Sequence, residues 1–304
     1  MKKGFELMDC KMVDASGVLC PIQVFTNPDQ DEKRYLIEEL KVDEHTLNSA
    51  VDPDEVPRLE FEPNHVALIF KMPKSYSGVE QLKFSVASTG AFLFKDRLVI
   101  VLAEGVPLFD GKPFTKVQSL PELLLKLLNR STVHFRDHLK IVNMLTDEIE
   151  QKINTSMENR FLLNLFTLEK SLVYFVNALS ANGGVMERLK TNAPRIGFTT
   201  EEIEFLDDII VENSQCNKQA EIYSNILASL MDARASIVNN NLNILIKMLN
   251  IITIAIMVPT FVVSAFSMNV GIPLQKEPSA FWIIMGLAVL SVVVFMLFWR
   301  YKKW

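Results

Sequence analysis

The stretch LNIITIAIMVPTFVVSAFSMN, residues 249–269, contains no charged side chain. A second uncharged stretch, AFWIIMGLAVLSVVVFMLFW, follows at residues 280–299. Each supplies the roughly 18 to 20 residues that an α-helix rising about 1.5 Å per residue needs to cross a hydrocarbon core of about 30 Å. We therefore predict two membrane-spanning helices near the end of the chain.

Positive charges flank the two spans on one side. Lys247 precedes the first span, and Arg300, Lys302 and Lys303 follow the second. Because membrane proteins concentrate Lys and Arg in their cytoplasmic segments, we predict that both termini are cytoplasmic. The expected location is the plasma (inner) membrane, where the spans contact lipid.

Short runs rich in Val, Ile, Phe and Leu, separated by turn signals, fill the N-terminal part of the chain. Runs of this kind are typical of β-strands, and the segments with helical spacing between them indicate an α/β domain. The predicted strands are 18–25, 58–62, 66–72, 83–88, 91–94 and 98–103, and the predicted helices are 31–40 and 43–50.

Helical signals dominate from Ser119 onward. Ser119 with Glu122, and Thr199 with Glu202, have the spacing of capping boxes at helix starts. A helix beginning near Arg160 is predicted to end before the run Asn182-Gly183-Gly184. After the second box no proline occurs until Pro259, so one helix of about 65 residues is predicted to continue through the first span.

The predicted fold class is therefore α+β with a membrane part: an N-terminal α/β domain, a long helical stalk and two C-terminal transmembrane helices. The predicted divisions are 1–117 for the cytoplasmic α/β domain, 118–247 for a helical bundle and stalk helix, 248–268 for transmembrane helix 1, 269–279 for an extracytoplasmic loop, 280–299 for transmembrane helix 2 and 300–304 for a basic cytoplasmic tail.

One face of the long predicted helix carries mostly polar side chains at alternating spacings of 4 and 3 residues. A mean repeat of 3.5 keeps such a seam directed at a symmetry axis in a left-handed bundle, so the seam is predicted to line a channel shared by several copies. Simple helix packing through small polar residues is the alternative within the membrane. The seam consists of Asp232, Ser236, Asn239, Asn243, Ile246, Asn250, Thr253, Met257, Thr260, Ser264 and Ser267.

The tripeptide Ser267-Met268-Asn269 at the end of the first span resembles the Gly-Met-Asn hallmark of the CorA family of magnesium channels. The resemblance covers most of the chain, including Arg34–Leu40, Asp52–Glu60, the long helix, both spans and the basic tail. It implies a homopentameric funnel, not an enzyme, that passes Mg²⁺ inward under the membrane potential, with Co²⁺ and Ni²⁺ as further ions.

The resemblance also implies roles for individual residues. Ser267, Met268 and Asn269 would form the selectivity filter, with an Asn269 ring binding Mg²⁺ through its water shell. Asp232 would concentrate negative charge at the cytoplasmic end of the pore, and Asp208 would bind a regulatory Mg²⁺. The implied pore-lining residues are Asn243, Ile246, Leu249, Thr253, Met257, Thr260 and Ser264.

Two departures from the family pattern affect the ion path. Ser267 replaces the glycine of the hallmark, and the outer loop lacks the acidic residue that the family has directly after its proline, here Pro273, so that Glu277, beside Lys276, is its one acidic residue. Glu277 is therefore the candidate for a negative ring at the outer mouth. At the opposite end Arg300, Lys302 and Lys303 resemble the basic ring of the family at the inner membrane face, and positive-inside anchoring explains them equally well.

Several other functions have no support in the sequence. A net charge of −5 argues against nucleic acid as a partner. His134 and His138 lie one helical turn apart but lack the glutamate of an H-E-x-x-H zinc motif, and no phosphate-binding loop is present. The alternatives that stay open are an exporter of Zn²⁺ or a related divalent cation, and a non-conducting membrane-anchored scaffold or ion sensor.

Overall fold

The computed structural model describes residues 2–8, 11–15, 20–74, 82–106, 108–110, 112–155, 159–268, 270–271 and 278–302. The chain divides into two compact units, Met1–Met231 and Asp232–Trp304. The strands are β1 Lys2–Met8, β2 Lys11–Ala15, β3 Ile22–Thr26, β4 Arg58–Phe61, β5 His65–Pro73, β6 Val86–Phe94 and β7 Leu98–Leu102. The helices are α1 Gln30–Arg34, α2 Glu44–Ser49, α3 Leu120–Thr155, α4 Asn159–Thr191, α5 Ala193–Ile196, α6 Thr200–Phe266 and α7 Ala280–Lys302.

These elements confirm the predicted fold class: an N-terminal α/β part, a long helix and two C-terminal apolar helices. The seven strands form one sheet in the order β2-β1-β3-β7-β6-β5-β4. β3 and β7 pair in parallel, and the other neighbouring strands pair antiparallel. The first unit is thus a mixed sheet with helices added to it.

Both faces of the sheet are covered, which explains why β5 and β7 are apolar along nearly their whole length. Because side chains alternate across a strand, Leu68 and Phe70 face one core while Ala67 and Ile69 face the other. The first core includes residues of α3, α4 and α6, and the second includes Leu47 of α2 and Leu36 of the helical turn Tyr35–Glu39 that follows α1.

The strand predictions were correct in outline and wrong in three places. The predicted strand 83–88 starts only at Val86, and it continues through Gly90 into 91–94 as one strand, β6, so that Gly90 is not a turn residue. A Cβ atom on Gly90 would lie 2.5 Å from the Cβ of Ala50, so the glycine allows the end of α2 to approach the sheet. Strands β1 and β2 were not predicted, and the strand expected to start at residue 18 starts at Ile22, the preceding residues 16–19 lying outside the described ranges.

The prediction that a helix ends at Asn182-Gly183-Gly184 was also wrong, because α4 continues to Thr191. The side chain of Asn182 accepts a hydrogen bond from the backbone N–H of Lys71 and donates one to its carbonyl oxygen, both at 2.8 Å. The pairing of β4 with β5 reaches only Ile69, so this amide covers the strand edge beyond it. A Cβ on Gly183 would lie 3.1 Å from Nδ2 of Asn213, which indicates a close helix contact rather than a helix end.

The second predicted capping box forms in full and the first only in part, since the side chain of Glu122 accepts from the backbone N–H of Gln118, and the two helix starts are joined. Thr199 and Glu202 exchange backbone-to-side-chain hydrogen bonds of 2.8 and 3.2 Å at the start of α6. The hydroxyl of Ser119 accepts from the backbone N–H of Glu122 at 2.9 Å and donates to Oε1 of Glu202 at 2.6 Å. One buried carboxylate therefore holds the first turns of α3 and α6 together. The long helix is confirmed at 67 residues.

The segment Asp52–Glu60, which carries part of the family resemblance, serves the structure of the first unit. The guanidinium of Arg58 bonds to Glu55 and to Glu60, at 2.6 Å in each case, and to the hydroxyl of Ser49 at 2.9 Å. Behind this network the ammonium of Lys71, a buried residue, donates to the Pro53 carbonyl and to Ser88. Burial lowers the pKa of Lys71, against the opposing effect of nearby carboxylates.

We predict that Asn182→Ala destabilises the chain, because it removes the acceptor of the Lys71 backbone N–H, while the Lys71 carbonyl keeps the hydroxyl of Ser131 as a donor. An unsatisfied buried polar group costs roughly 1–3 kcal/mol, so the melting temperature of the solubilised full-length protein should fall by several degrees. Asn177→Ala is the matched control, since Asn177 is exposed on the same helix. Equal melting temperatures for the two variants would contradict the role assigned to Asn182.

Candidate functional site

Two helices are long and apolar enough to cross a membrane: α6, through its C-terminal part, and α7. Their most apolar 18-residue segments are 0% and 6% buried within the chain. A core helix of a soluble protein hides its apolar side chains, whereas these helices present them outward, as a helix surrounded by lipid does. The two segments coincide with the two spans predicted from the sequence.

One side of the C-terminal part of α6 lies against α7. A groove there is lined on α6 by residues that include Val258, Val262 and Ala265, and on α7 by residues that include Leu287 and Val294. The three α6 residues are half-buried. They recur at three- and four-residue intervals, which defines the face of α6 that contacts α7.

From Met257 to Ser264 the predicted polar seam occupies a different face of α6. Met257, Thr260 and Ser264 are exposed and do not line the grooves beside α7, and Met257 is 63% exposed. The upstream seam residues Asn243, Ile246 and Leu249 are exposed as well. Since polar side chains are unfavourable toward lipid, a face carrying Thr260 and Ser264 calls for water or another protein surface.

The seam hydroxyls are held by their own helix. Thr253 donates to the Leu249 carbonyl at 2.9 Å, Thr260 to the Ile256 carbonyl at 2.6 Å, and Ser267 to the Ser264 carbonyl at 2.9 Å. Each hydroxyl proton is therefore used within the helix, and each oxygen keeps lone pairs that can accept a hydrogen bond. A row of acceptor oxygens suits the water molecules around a hydrated cation, which point their protons outward.

Three other predicted site residues that the structure describes, Asp208, Asp232 and Met268, do not form a common site. Asp232 is exposed, and so is Asp208, whose neighbour Asp207 pairs with Lys190 at 2.8 Å. Met268 is 59% exposed. Among the described residues no three His, Cys, Asp or Glu side chains are grouped to hold a metal ion. Asn269, Glu277 and Lys303 lie outside the described residues, as does the side chain of Lys302.

A second groove, of about 440 Å³, opens between α6 and α7 at the end of the helices where Lys247 lies. Its lining includes Asn250 and Thr253, so these two seam residues border the α7 side as well. Neither groove could be predicted from the sequence, because the two walls of each groove belong to different helices. Two features of the sequence point to the groove beside Lys247: the lysine itself before the first span, and the aromatic residues at the end of the second span.

His134 and His138 are part of the helical core of the first unit. Their ring centroids are 4.5 Å apart, and the buried ring of His138 also packs against Phe84 and Phe175. Burial, with a smaller contribution from His134, lowers the pKa of His138 from its usual 6.5 to about 4. The surroundings of His138 thus favour a neutral imidazole packed among aromatic rings.

The mixed sheet, the 67-residue helix and the two unburied apolar helices define a membrane protein with a large N-terminal α/β part and two C-terminal spans. Residues 24–303 match the model of the family described as CorA-like Mg²⁺ transporter protein. The chain therefore belongs to the CorA-like Mg²⁺ transporter family, as the resemblance of its sequence indicated.

Individual relatives agree with this assignment. The cobalt/magnesium transport protein CorA of Methanocaldococcus jannaschii is 25% identical over 291 residues, which cover 91% of this chain and 89% of that protein. The complete structure of the CorA magnesium transporter from the same organism has a TM-score of 0.84 at 22% identity, covering 98% of this chain and 96% of that one. The ZntB cytoplasmic domain from Vibrio parahaemolyticus matches in fold alone, with a TM-score of 0.62 at 12% identity over 78% of this chain and 98% of that one.

We predict that His138→Phe reduces the loss of stability on acidification. In the unfolded chain His138 binds a proton near pH 6.5, whereas the folded chain resists protonation to about pH 4. Its contribution to stability is therefore present above pH 6.5 and is lost as the pH falls toward 4. Melting temperatures measured across this range should fall less for H138F than for the unmodified chain.

His45→Gln is the control for this experiment, because His45 is exposed and its replacement leaves the core unchanged. Carboxylates titrate in the same pH range in all three proteins, so only the difference between their curves reports on His138. Parallel curves for H138F and the unmodified chain would exclude His138 as a source of the acid sensitivity.

Proposed function

We propose that this chain forms a divalent cation channel, with Mg²⁺ entering the cytoplasm down its electrochemical gradient and Co²⁺ and Ni²⁺ as further ions. The observation that carries the proposal is the exposed seam on α6, which bears acceptor oxygens from Thr253, Thr260 and Ser267 within an otherwise apolar span. The name of the Methanocaldococcus jannaschii relative, a cobalt/magnesium transport protein, supports the same ions.

The channel requires several copies of the chain. Two spans cannot enclose a pore, and the seam of one α6 can be shielded from lipid only by the seams of other copies. A mean spacing of 3.5 residues keeps these seams around a common axis. The family resemblance supports five copies, with both termini in the cytoplasm and the loop 269–279 outside.

The chemistry of Mg²⁺ explains why such a pore needs few charges. Mg²⁺ holds six oxygen ligands at about 2.0–2.1 Å and loses water reluctantly, so it is best selected with its water shell in place. A ring of Asn269 amides, next to Ser267 and Met268, would accept hydrogen bonds from those waters at the outer mouth. The hydroxymethyl group of Ser267, where the family hallmark has glycine, adds bulk at that ring.

The remaining predicted residues take roles along the same path. Ile246, Leu249 and Met257 supply apolar rings, which can close a pore by excluding water. Asn243 adds a polar ring on their cytoplasmic side. Rings of Asp232 at the cytoplasmic end and Glu277 at the outer end would attract cations, Arg300, Lys302 and Lys303 would form the basic ring at the inner face, and Asp208 would hold a regulatory Mg²⁺.

The membrane potential supplies the direction of transport. Moving one elementary charge through 100 mV releases about 2.3 kcal/mol, so a divalent cation gains about twice that amount on entering a negative interior. No nucleotide is needed as an energy source, which agrees with the absence of a phosphate-binding loop from the sequence.

The test of this proposal is cation uptake by proteoliposomes containing the full-length chain, with Mg²⁺, Co²⁺, Ni²⁺ and Zn²⁺ compared side by side. With the interior negative we expect Mg²⁺ uptake that stops when the potential is collapsed. Assembled protein that takes up none of the four ions would instead support a non-conducting scaffold or sensor. Transport of Zn²⁺ alone, independent of the potential, would support the exporter.

Asn269→Ala tests the filter within the same assay. We expect Mg²⁺ uptake to fall at least about tenfold, the change that a loss of about 1.4 kcal/mol produces, while assembly measured by size-exclusion chromatography is retained. Asn177→Ala, which changes an exposed asparagine of α4, is the control. Unchanged uptake and ion preference in N269A would remove Asn269 from the filter.

A further inference from the structure

The groove beside Lys247 combines an apolar floor with a single charge. Ile251 and Ile254 of α6 line it together with Phe295, Phe298 and Trp299 of α7, and Asn250 and Thr253 add two neutral polar side chains at its edge. Phe295 and Phe298 also line the groove that continues toward Phe266. The two grooves therefore follow the helix pair along the span, and among the described residues that line them only Lys247 is charged.

The apolar part of this surface has the properties of an acyl-chain site. It lies between helices whose apolar segments are almost unburied within the chain, so lipid is the surrounding solvent. Phe298 is 60% exposed and Trp299 is 41% exposed. Aromatic side chains at the end of a span belong at the level of the lipid headgroups, where one edge meets hydrocarbon and the other meets water.

The charge on Lys247 has no counterpart among the groove residues. Within the described residues Lys247 forms no ion pair, and no carboxylate lines the groove. Arg300, directly after Trp299, adds a second cation at this end of the helix pair. The groove thus lacks an anion at the place where a phospholipid headgroup would lie.

A neighbouring copy of the chain could cover the apolar residues but could not neutralise Lys247 within the membrane region. In the sequence between Ala233 and Trp304 the only acidic residue is Glu277, which stands between the two spans, 30 positions after Lys247. An anionic lipid supplies both an acyl chain for the apolar residues and a negative group for Lys247.

We propose that this groove binds one anionic phospholipid, with the headgroup phosphate at Lys247 and Arg300 and an acyl chain against Ile251, Ile254 and Phe298. Basic sites between membrane helices on the cytoplasmic side bind anionic headgroups by this combination of contacts. The bound lipid would stabilise the packing of α6 on α7. The site is independent of which ion the chain transports.

The experiment uses the full-length chain reconstituted in vesicles of equal parts phosphatidylglycerol and phosphatidylcholine, extracted in mild detergent and analysed by native mass spectrometry. The unmodified protein should retain phosphatidylglycerol in preference to phosphatidylcholine. In Lys247→Gln this preference should fall roughly fivefold, as expected for one cation at a membrane surface. Phe298→Ala should reduce the retention of both lipids, because it shortens the apolar floor.

Lys218→Gln is the matched control, since it removes an exposed positive charge from the same helix outside the groove. It should leave the lipid preference unchanged. Retention of no lipid by the unmodified assembly would overturn the proposal and indicate that a neighbouring copy fills the groove. An unchanged preference in K247Q would overturn it as well. Neither readout involves ion flux, so failure here is distinct from failure of the channel proposal.

Discussion

A hydrocarbon solvent forms no hydrogen bonds, and this constraint governs the unit Asp232–Trp304. The backbone satisfies it by remaining helical through α6 and α7. The hydroxyls of Thr253 and Thr260 satisfy it in part, by donating to carbonyls one turn earlier. Their oxygens can still accept hydrogen bonds and need a polar environment. The α6 face that carries them therefore differs from the apolar face of α6 that contacts α7.

In the first unit, buried polar groups obtain their hydrogen-bond partners from side chains of other elements. Strand β4 does not reach Lys71 in β5. The side chains of Asn182 and Ser131 both donate to the Lys71 carbonyl instead. The ammonium of Lys71 in turn fixes the Pro53 carbonyl. A few buried polar groups thus connect the sheet to α3, to α4 and to the acidic loop before β4, while the surrounding cores supply apolar contact area.

The sequence predicted the features that depend on patterns within one segment. The two spans, the length of α6 and the side-chain caps of Ser119 and Thr199 follow from local composition and spacing, and all of them form. The errors arose where a residue responds to a distant part of the chain. In sequence Gly90 resembles a turn residue, but it is a glycine because Ala50 packs against it. Asn182 and Gly183 resemble a helix end, but they bond to Lys71 and pack against Asn213. For the candidate site, the polar spacing of the seam is visible in the sequence, and its place in a pore stays a prediction. The groove needs two helices side by side, and Asn269 remains a prediction from resemblance.

The bond between Asn182 and Lys71 has a consequence for how the chain is made. The two residues are 111 positions apart, so the ribosome must add all of the intervening sequence before the edge of β5 can be covered. At about 5–20 residues per second this takes on the order of 5–20 s. During that interval a nascent chain presents an open strand edge that can pair with other polypeptides. Shielding of this edge by a chaperone until α4 has been made would therefore favour correct folding of the first unit.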